Sequence, residues 1–426
     1  MRYYSTKNRR ASHSLREAIL LGLAPDGGLF MPQTLPSLEP EFWHAGRRSM
    51  TQTASEILGR LLMGDVPQED LQGIVERVFN FPVPVVDIEP GLSVLELTHG
   101  PSASFKDFGA RFLAELLGFF ARGVEAHWTV LVATSGDTGS AVAQGFYGVP
   151  GVEVVILYPK GRVSGLQEAQ LTTLGGNITA LEVDGVFDDC QALVKQAFAD
   201  QELRAARELT SANSISIGRL FPQSVYYAHA WFELGAPPNL LISVPSGNFG
   251  NLTAGLMAKR MGLPVEFLSA MNANDVVLEF LEGGEFQPRP SVATLSNAMD
   301  VGNPSNFARL LDLFDQDVAG LRAALRGVHV SDALTRATMQ DVYQRTGYTL
   351  DPHGAVAFAG AQMMRGERPA LVLETAHPAK FADVVREETG VEPEIPQRLA
   401  SCLTLPKHAV PMSRNFEDFK KFLLAT

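Results

Sequence analysis

From Thr129 onward, short apolar runs alternate with glycine-bearing turns and with longer stretches whose apolar positions recur at helical spacing. The runs Thr129–Ala133, Val152–Leu157, Ile178–Val183, Leu240–Val244, Val265–Ala270 and Ala370–Leu373 are apolar at successive positions, as strands covered by helices on both faces must be. This alternation predicts an α/β fold with a mostly parallel sheet. One long helix is expected over Phe187–Leu209, between the third run and the fourth. Residues 1 to 92 read differently: helices are predicted at Ser14–Leu23, Thr53–Met63 and Gln68–Asn80, with little strand. Pro82, Pro84, Pro90 and Pro101 punctuate the passage into the core. Pro393, Pro396, Pro406 and Pro411 mark an irregular stretch before a last helix near Asn415–Leu424. The sequence contains no internal repeat.

A chain of 426 residues has room for two or three domains with an extensive core. No apolar run approaches the ~18 residues of a membrane helix, and the richest window, Phe112–Ala121, contains Glu115, so no membrane span is expected. The net charge of −12 argues against a broad basic face for nucleic acid or an anionic membrane, so an anionic ligand has to be caught by a local cluster. Cys190 and Cys402 are the only cysteines, which leaves no disulfide framework and no CxxC pair and suits a reducing cytoplasm. The nine histidines show no HExxH spacing, and no metal site is expected. Met1–Arg16 holds five basic residues and no acid, a composition shared by transit peptides and by folded N-termini.

Candidate chemistry lies in strand-to-helix loops. Ser102-Ala103-Ser104-Phe105-Lys106-Asp107 opens a helix, and Ser104 with Asp107 three residues on has capping-box spacing. That places Lys106 in the first turn, where the helix dipole opposes a cation by about 0.3–1 kcal/mol. A desolvated lysine there loses its proton more easily and can attack an aldehyde; the plain alternative is an exposed lysine lying beside a phenylalanine stripe. Pro245-Ser246-Gly247-Asn248-Phe249-Gly250-Asn251 follows a strand and precedes a helix, so its backbone N–H groups can converge on a phosphate. Its glycines miss the GxGxxG spacing of dinucleotide folds, and a ligand-free turn is the alternative. Thr134-Ser135-Gly136-Asp137-Thr138 offers hydroxyls and backbone donors for a carboxylate, or else ordinary N-capping by Asp137 or Thr138. Glu374-Thr375-Ala376-His377-Pro378-Ala379-Lys380 ends a late strand, where α/β folds place ligands.

Taken in order, these loops resemble the fold-type II pyridoxal phosphate enzymes, and within that group the resemblance is to the long-chain threonine synthases of bacteria and fungi. It extends through Tyr4-Ser5-Thr6, Glu17-Ala18-Ile19, the run Gly22 to Pro32, Leu97-Thr98-His99-Gly100-Pro101, Leu157-Tyr158-Pro159-Lys160-Gly161, Val301-Gly302-Asn303-Pro304-Ser305-Asn306 and Asp351-Pro352-His353-Gly354. On this resemblance the basic N-terminus belongs to a folded domain. The implied architecture is two α/β lobes with a mainly helical N-terminal domain over 1–92, a cofactor-binding core over 93–396 whose smaller lobe spans roughly 127–210, and a C-terminal segment over 397–426.

The resemblance also implies roles. Lys106 would form the Schiff base with pyridoxal phosphate, and Ser246, Gly247, Asn248, Phe249, Gly250 and Asn251 would hold its phosphate. Thr375 would face the pyridine nitrogen, and Asp137 would lie near the ring hydroxyl. Ser102, Thr134, Ser135, Gly136, Asp137 and Thr138 would bind the substrate; by chemistry and position, and not by the resemblance, Lys160, Arg162, Arg111, Lys380, Asn303 and Ser305 are the candidates for its phosphate. The implied reaction is O-phospho-L-homoserine plus water giving L-threonine and phosphate; the alternative is a related lyase that stops at 2-oxobutyrate. The expected assembly is a monomer or weak homo-oligomer acting on a small molecule, without nucleic acid or membrane.

Overall fold

The computed structural model describes residues 1–123 and 127–425. Its first unit contains strands β1 (Arg2–Ser5), β2 (Asn8–Ser14) and β3 (Phe30–Pro32), which form an antiparallel sheet in the order β2-β1-β3. This sheet is the first departure from the sequence reading, which expected little strand here. The reason is visible in β2, whose Asn-Arg-Arg-Ala-Ser-His-Ser carries no alternating apolar face. The expected helices are present at Leu15–Leu21, Met50–Leu61 and Gln68–Val78. The first begins at a true capping box, where the Ser14 hydroxyl accepts the Glu17 N–H at 3.2 Å and the Glu17 carboxylate accepts the Ser14 N–H at 2.6 Å.

Strands β4 (Val85–Glu89) and β5 (Leu92–Glu96) form a hairpin turning at Pro90-Gly91, with Gly91 at φ 71°. The expected boundary at residue 92 cuts through this hairpin: both strands belong to the large sheet, so the N-terminal unit ends before Val85. Next come β6 (Trp128–Ala133), β7 (Val152–Pro159), β8 (Ile178–Val183) and β9 (Glu208–Ser211), all parallel and all in the smaller lobe. The single helix expected over Phe187–Leu209 is broken. Helices Phe187–Ala199 and Gln201–Ala206 meet at Asp200, which caps the second by accepting the Leu203 N–H at 2.9 Å, and Leu209 lies in β9.

The chain then returns to the large sheet through β10 (Leu241–Pro245), β11 (Glu266–Met271), β12 (Leu325–His329) and β13 (Ala370–Glu374), giving the order β12-β11-β10-β13-β5-β4. Every pair in it is parallel except β4 with β5. The C-terminal stretch, expected to be irregular before its last helix, contains a helix at Gln397–Leu403 and strand β14 (Val410–Met412), which pairs with β8 at the edge of the smaller sheet. The final helix is Phe416–Ala425. Among the described residues no helix is long and apolar enough to cross a membrane. The candidate loops follow the carboxyl ends of β5, β6, β10 and β13.

Candidate active site

Main-chain pairing brings Lys106 and Thr375 together. Ser104 bridges Ala376, the Phe105 N–H donates to the Thr375 carbonyl at 2.9 Å, and the His377 N–H donates to the Ala103 carbonyl at 3.0 Å. The helix Lys106–Ala121 starts directly afterwards. Its expected capping box is absent, because Phe105 occupies the N-cap in helical conformation and pushes Ser104 one residue outside. The Ser104 hydroxyl instead meets that of Ser102 at 3.0 Å, and the Asp107 carboxylate turns back to accept the Ser102 N–H at 3.0 and 3.2 Å. Ser102 is fully buried. Burial pushes the Asp107 carboxyl up to about 6 against those hydrogen bonds.

The Lys106 ammonium lies 3.8 Å from the Asp137 carboxylate, whose other oxygen accepts from Lys380 Nζ and Gln167 Nε2, each at 2.9 Å. Desolvation is the main influence on Lys106 and lowers its pKa to about 8; Lys380 and Arg219 push the same way, and Asp137 opposes them. Its side chain keeps 15% exposure although the amine is strongly desolvated. Asp137 is buried too, and burial alone would raise its carboxyl. The Lys380 and Lys106 charges and the hydrogen bonds from Lys380 and Gln167 outweigh that and hold it well below the usual carboxylate range. Asp137 is therefore an anion at neutral pH, and it does not cap its helix.

The helix Asp137–Phe146 instead begins after Gly136, at φ 142°, where a Cβ would lie 2.5 Å from the Gln167 side chain. The Thr134 hydroxyl accepts the N–H groups of Gly136 and Gly139 at 3.0 and 2.8 Å and donates to the Gly136 carbonyl at 3.2 Å. Those bonds shape the loop. Ser135 is exposed and Thr138 half-buried.

In the third loop Phe249 adopts the left-handed region at φ 60°, as Ala103 does at 55° before Lys106. Such conformations cost on the order of 1–3 kcal/mol each and need surrounding structure to hold them. Here the Asn248 carboxamide accepts the Ser305 N–H at 2.6 Å, and the Asn306 Nδ2 donates to the Asn248 carbonyl at 3.0 Å. Ser305 thus reaches this loop through its backbone, and the side chains of Asn303 and Ser305 are exposed. Gly247 is required by close approach, since a Cβ would sit 2.6 Å from the Met299 Cα. Gly250 opens a helix with no side-chain cap, next to a Ser246 whose hydroxyl donates to the Val244 carbonyl at 2.9 Å.

Four cations are expected at the substrate phosphate from the sequence. Lys380 is fully buried on Asp137. Arg111 donates to the Arg77 carbonyl and lies over the Phe81 ring at 5.5 Å, against the N-terminal unit. Lys160 and Arg162 are exposed and line a cleft of about 370 Å³ with Asp184 and Arg414, which Lys106, Asp137 and Lys380 do not line. Sequence reasoning missed Gln167 and Arg219. Gln167 was legible only as the second half of a Ser164-x-x-Gln capping box, which it also forms.

A family model described as pyridoxal-phosphate dependent enzyme matches residues 89–373; models of the threonine synthase N terminus and C-terminal region match 2–79 and 354–423. A threonine synthase of Serratia marcescens is 47% identical, over 100% of this chain and 99% of that protein. The chain belongs to the threonine synthase family. A crystal structure of threonine synthase from Escherichia coli superposes at TM-score 0.93 with 43% identity over the whole of both chains. One of pyridoxal-phosphate-bound threonine synthase from Brucella melitensis superposes at 0.94 with 35% identity, over 100% of this chain and 99% of that one.

The cofactor of this threonine synthase family member is pyridoxal phosphate, and its residues fit that group. Lys106 supplies an amine of lowered pKa. The uncapped helix start at Gly250 supplies backbone N–H groups. Asn251 adds a buried Nδ2 with no partner in the protein, while its Oδ1 takes the hydroxyls of Tyr226 and Tyr227.

Proposed function

We propose that this chain converts O-phospho-L-homoserine and water into L-threonine and phosphate. The observation that carries this reading is the full-length agreement: threonine synthase models match on both sides of the cofactor core, and the named relative aligns from end to end. Pyridoxal phosphate, when bound, supplies an electron sink for charge that builds on the substrate carbons.

The protein's residues do the rest. Lys106 binds the cofactor aldehyde and, once free, moves protons on and off the substrate Cα and Cβ. An amine near 8 has neutral and charged forms both accessible at physiological pH, which a group that takes and returns protons requires. The Ser246–Asn251 loop would hold the cofactor phosphate at the helix start, and the Thr375 hydroxyl would face the pyridine nitrogen. As an anion, Asp137 would repel a substrate carboxylate, so we assign it to the ring hydroxyl and to orienting Lys106. The substrate carboxylate falls to the exposed Ser135 hydroxyl and the N–H groups of the 134–138 loop. Ser305 lies beside Asn248, and with the exposed Asn303 it suits the substrate phosphate better than Lys160, whose cleft the Lys106 cluster does not line.

We place the protein in the cytoplasm, as a monomer or weak homo-oligomer. Its two cysteines are free and buried, which supports the first assignment; sedimentation tests the second. The deciding experiment is product analysis after incubation with pyridoxal phosphate and O-phospho-L-homoserine, beside Lys106→Ala. Threonine from the intact protein alone is the expected result. Predominant 2-oxobutyrate would instead mean a lyase without the hydration step.

A further inference from the structure

Glu374 ends β13, pairs in register with Glu96 of β5 and immediately precedes Thr375. Its side chain is buried. One carboxyl oxygen accepts the Asp351 N–H at 2.7 Å; the other receives no N–H or hydroxyl and lies where a Cβ on Gly354 would be 1.6 Å away. It lies beside Gly354, whose own N–H the Asp351 carboxylate accepts at 3.2 Å, so the two carboxyls are neighbours. Asp351 caps the helix Pro352–Met364 and already accepts the His353 and Gly354 N–H groups at 2.8 and 3.2 Å, together with His353 Nδ1 at 2.5 Å. The other ring nitrogen of His353 accepts the Ala298 N–H at 3.2 Å, so the imidazole bears its proton on Nδ1 and is neutral.

Around this pair stand Glu96, which takes the Tyr348 hydroxyl at 2.9 Å and His99 Nε2 at 2.6 Å, and His377, which feels Arg398, His99, Lys380 and Glu96. Two ionised carboxylates in contact, beside a third and a neutral imidazole, would repel strongly in a dry site. One shared proton removes the conflict. Asp351 accepts three donors and Glu374 one, so the proton belongs on Glu374.

We propose that Glu374 is a protonated acid at neutral pH that donates to Asp351 and acts as the positioning residue fixing Thr375 at the end of its strand. Burial and the Asp351 charge both hold its carboxyl well above the usual range, in agreement with this geometry. The same proton ties three segments together: the strand end carrying Thr375, the helix capped by Asp351, and, through His353, the Asn297–Met299 turn that packs on Gly247 of the candidate phosphate loop. The positioning role rests on the reading of Thr375 as cofactor-facing. The protonation state does not.

The test starts with infrared spectra of the holoenzyme at pH 8, in H2O and D2O. A protonated-carboxyl carbonyl band that shifts with deuterium and disappears in Glu374→Gln is expected; Asp107, at about 6, is ionised there. The absence of such a band in the wild-type protein overturns the proposal without any variant. Glutamine mimics the neutral acid, so Glu374→Gln should bind pyridoxal phosphate within about threefold of wild type, whereas Glu374→Ala should lose tenfold or more. Above the free-acid value the unfolded chain releases this proton and the folded one keeps it. The wild-type folding constant should then fall relative to that of Glu374→Gln by up to about tenfold per pH unit as pH rises. A Glu374→Gln protein as impaired as Glu374→Ala, or with the same pH slope as wild type, refutes the assignment.

Discussion

Replacing Asp137 by asparagine removes a charge from beside Lys106 while keeping a carboxamide oxygen that can still accept from Lys380 and Gln167. At 3.8 Å and an effective dielectric of about 20, the lost attraction is worth about 4 kcal/mol, or about 3 pH units on the amine. Desolvation and the Lys380 charge then act unopposed, so the Lys106 midpoint should fall from about 8 by as much as 3 units. Competitive acylation of the cofactor-free protein across pH 5–11, with the Lys106 peptide quantified by mass spectrometry, reads this midpoint directly. A midpoint unchanged or raised in Asp137→Asn would show that the carboxylate does not govern the lysine, and the charge argument for the site would fail.

Lys380→Met should move the same midpoint upward, since it removes a cation from Lys106, and should cost about 3–5 kcal/mol in urea unfolding because it breaks a buried pair. Lys106 is depressed from 10.5 to about 8, so between those values the unfolded chain binds the proton more. Relative to Lys106→Met, the cofactor-free protein should therefore gain roughly 3 kcal/mol of stability from pH 8 to 10.5 in urea titrations, and a constant difference would refute the shift. Gly247→Ala puts a methyl 2.6 Å from one backbone atom and 3.0 Å from another, neither able to rotate away. Fluorescence titration should find pyridoxal phosphate affinity at least tenfold weaker, and unchanged affinity would remove the loop from the phosphate site. Phe108→Ala should cost about 3–5 kcal/mol in the same urea assay, because the ring is fully buried against Phe79, Phe81 and Tyr226 at 6.0, 5.0 and 5.2 Å.

The sequence was most legible where burial acts on both faces of a strand, because β6, β7, β8, β10, β11 and β13 are then apolar regardless of their neighbours. It was least legible where pairing partners supply the reason for a strand. Polar β2 is held by its pairing with β1, and the prolines around β4 and β5 hid a hairpin that forms one edge of the large sheet, its second strand pairing with β13. The same division holds in the site. Lys106 announced itself locally, by being a cation at a helix start, whereas the bond from Lys380 to Asp137 spans 243 positions and joins the ends of strands in different sheets. Local patterns also misassigned the Ser104–Asp107 cap, since the conformation of Phe105 is set by its hydrogen bond to the Thr375 carbonyl.

Two buried carboxyls on either side of the Lys106–Thr375 junction make the electrostatic logic explicit. Both suffer burial, which alone would protonate each of them. Asp137 has Lys380 at 2.9 Å and Lys106 at 3.8 Å, and two cations reverse the sign of its shift. Glu374 has Asp351 and Glu96 for neighbours, and they add to the shift that burial begins. Partners, and not depth, therefore decide the state of each group. On the Lys106 side a fixed anion holds an amine ready to exchange protons; on the side of Glu374, by our proposal, a neutral acid keeps the backbone of Thr375 still without placing a charge behind it. On the proposed reading in which Thr375 faces the pyridine nitrogen, a negative charge there would favour a protonated ring, and a neutral Glu374 would serve the same end as a hydroxyl at Thr375.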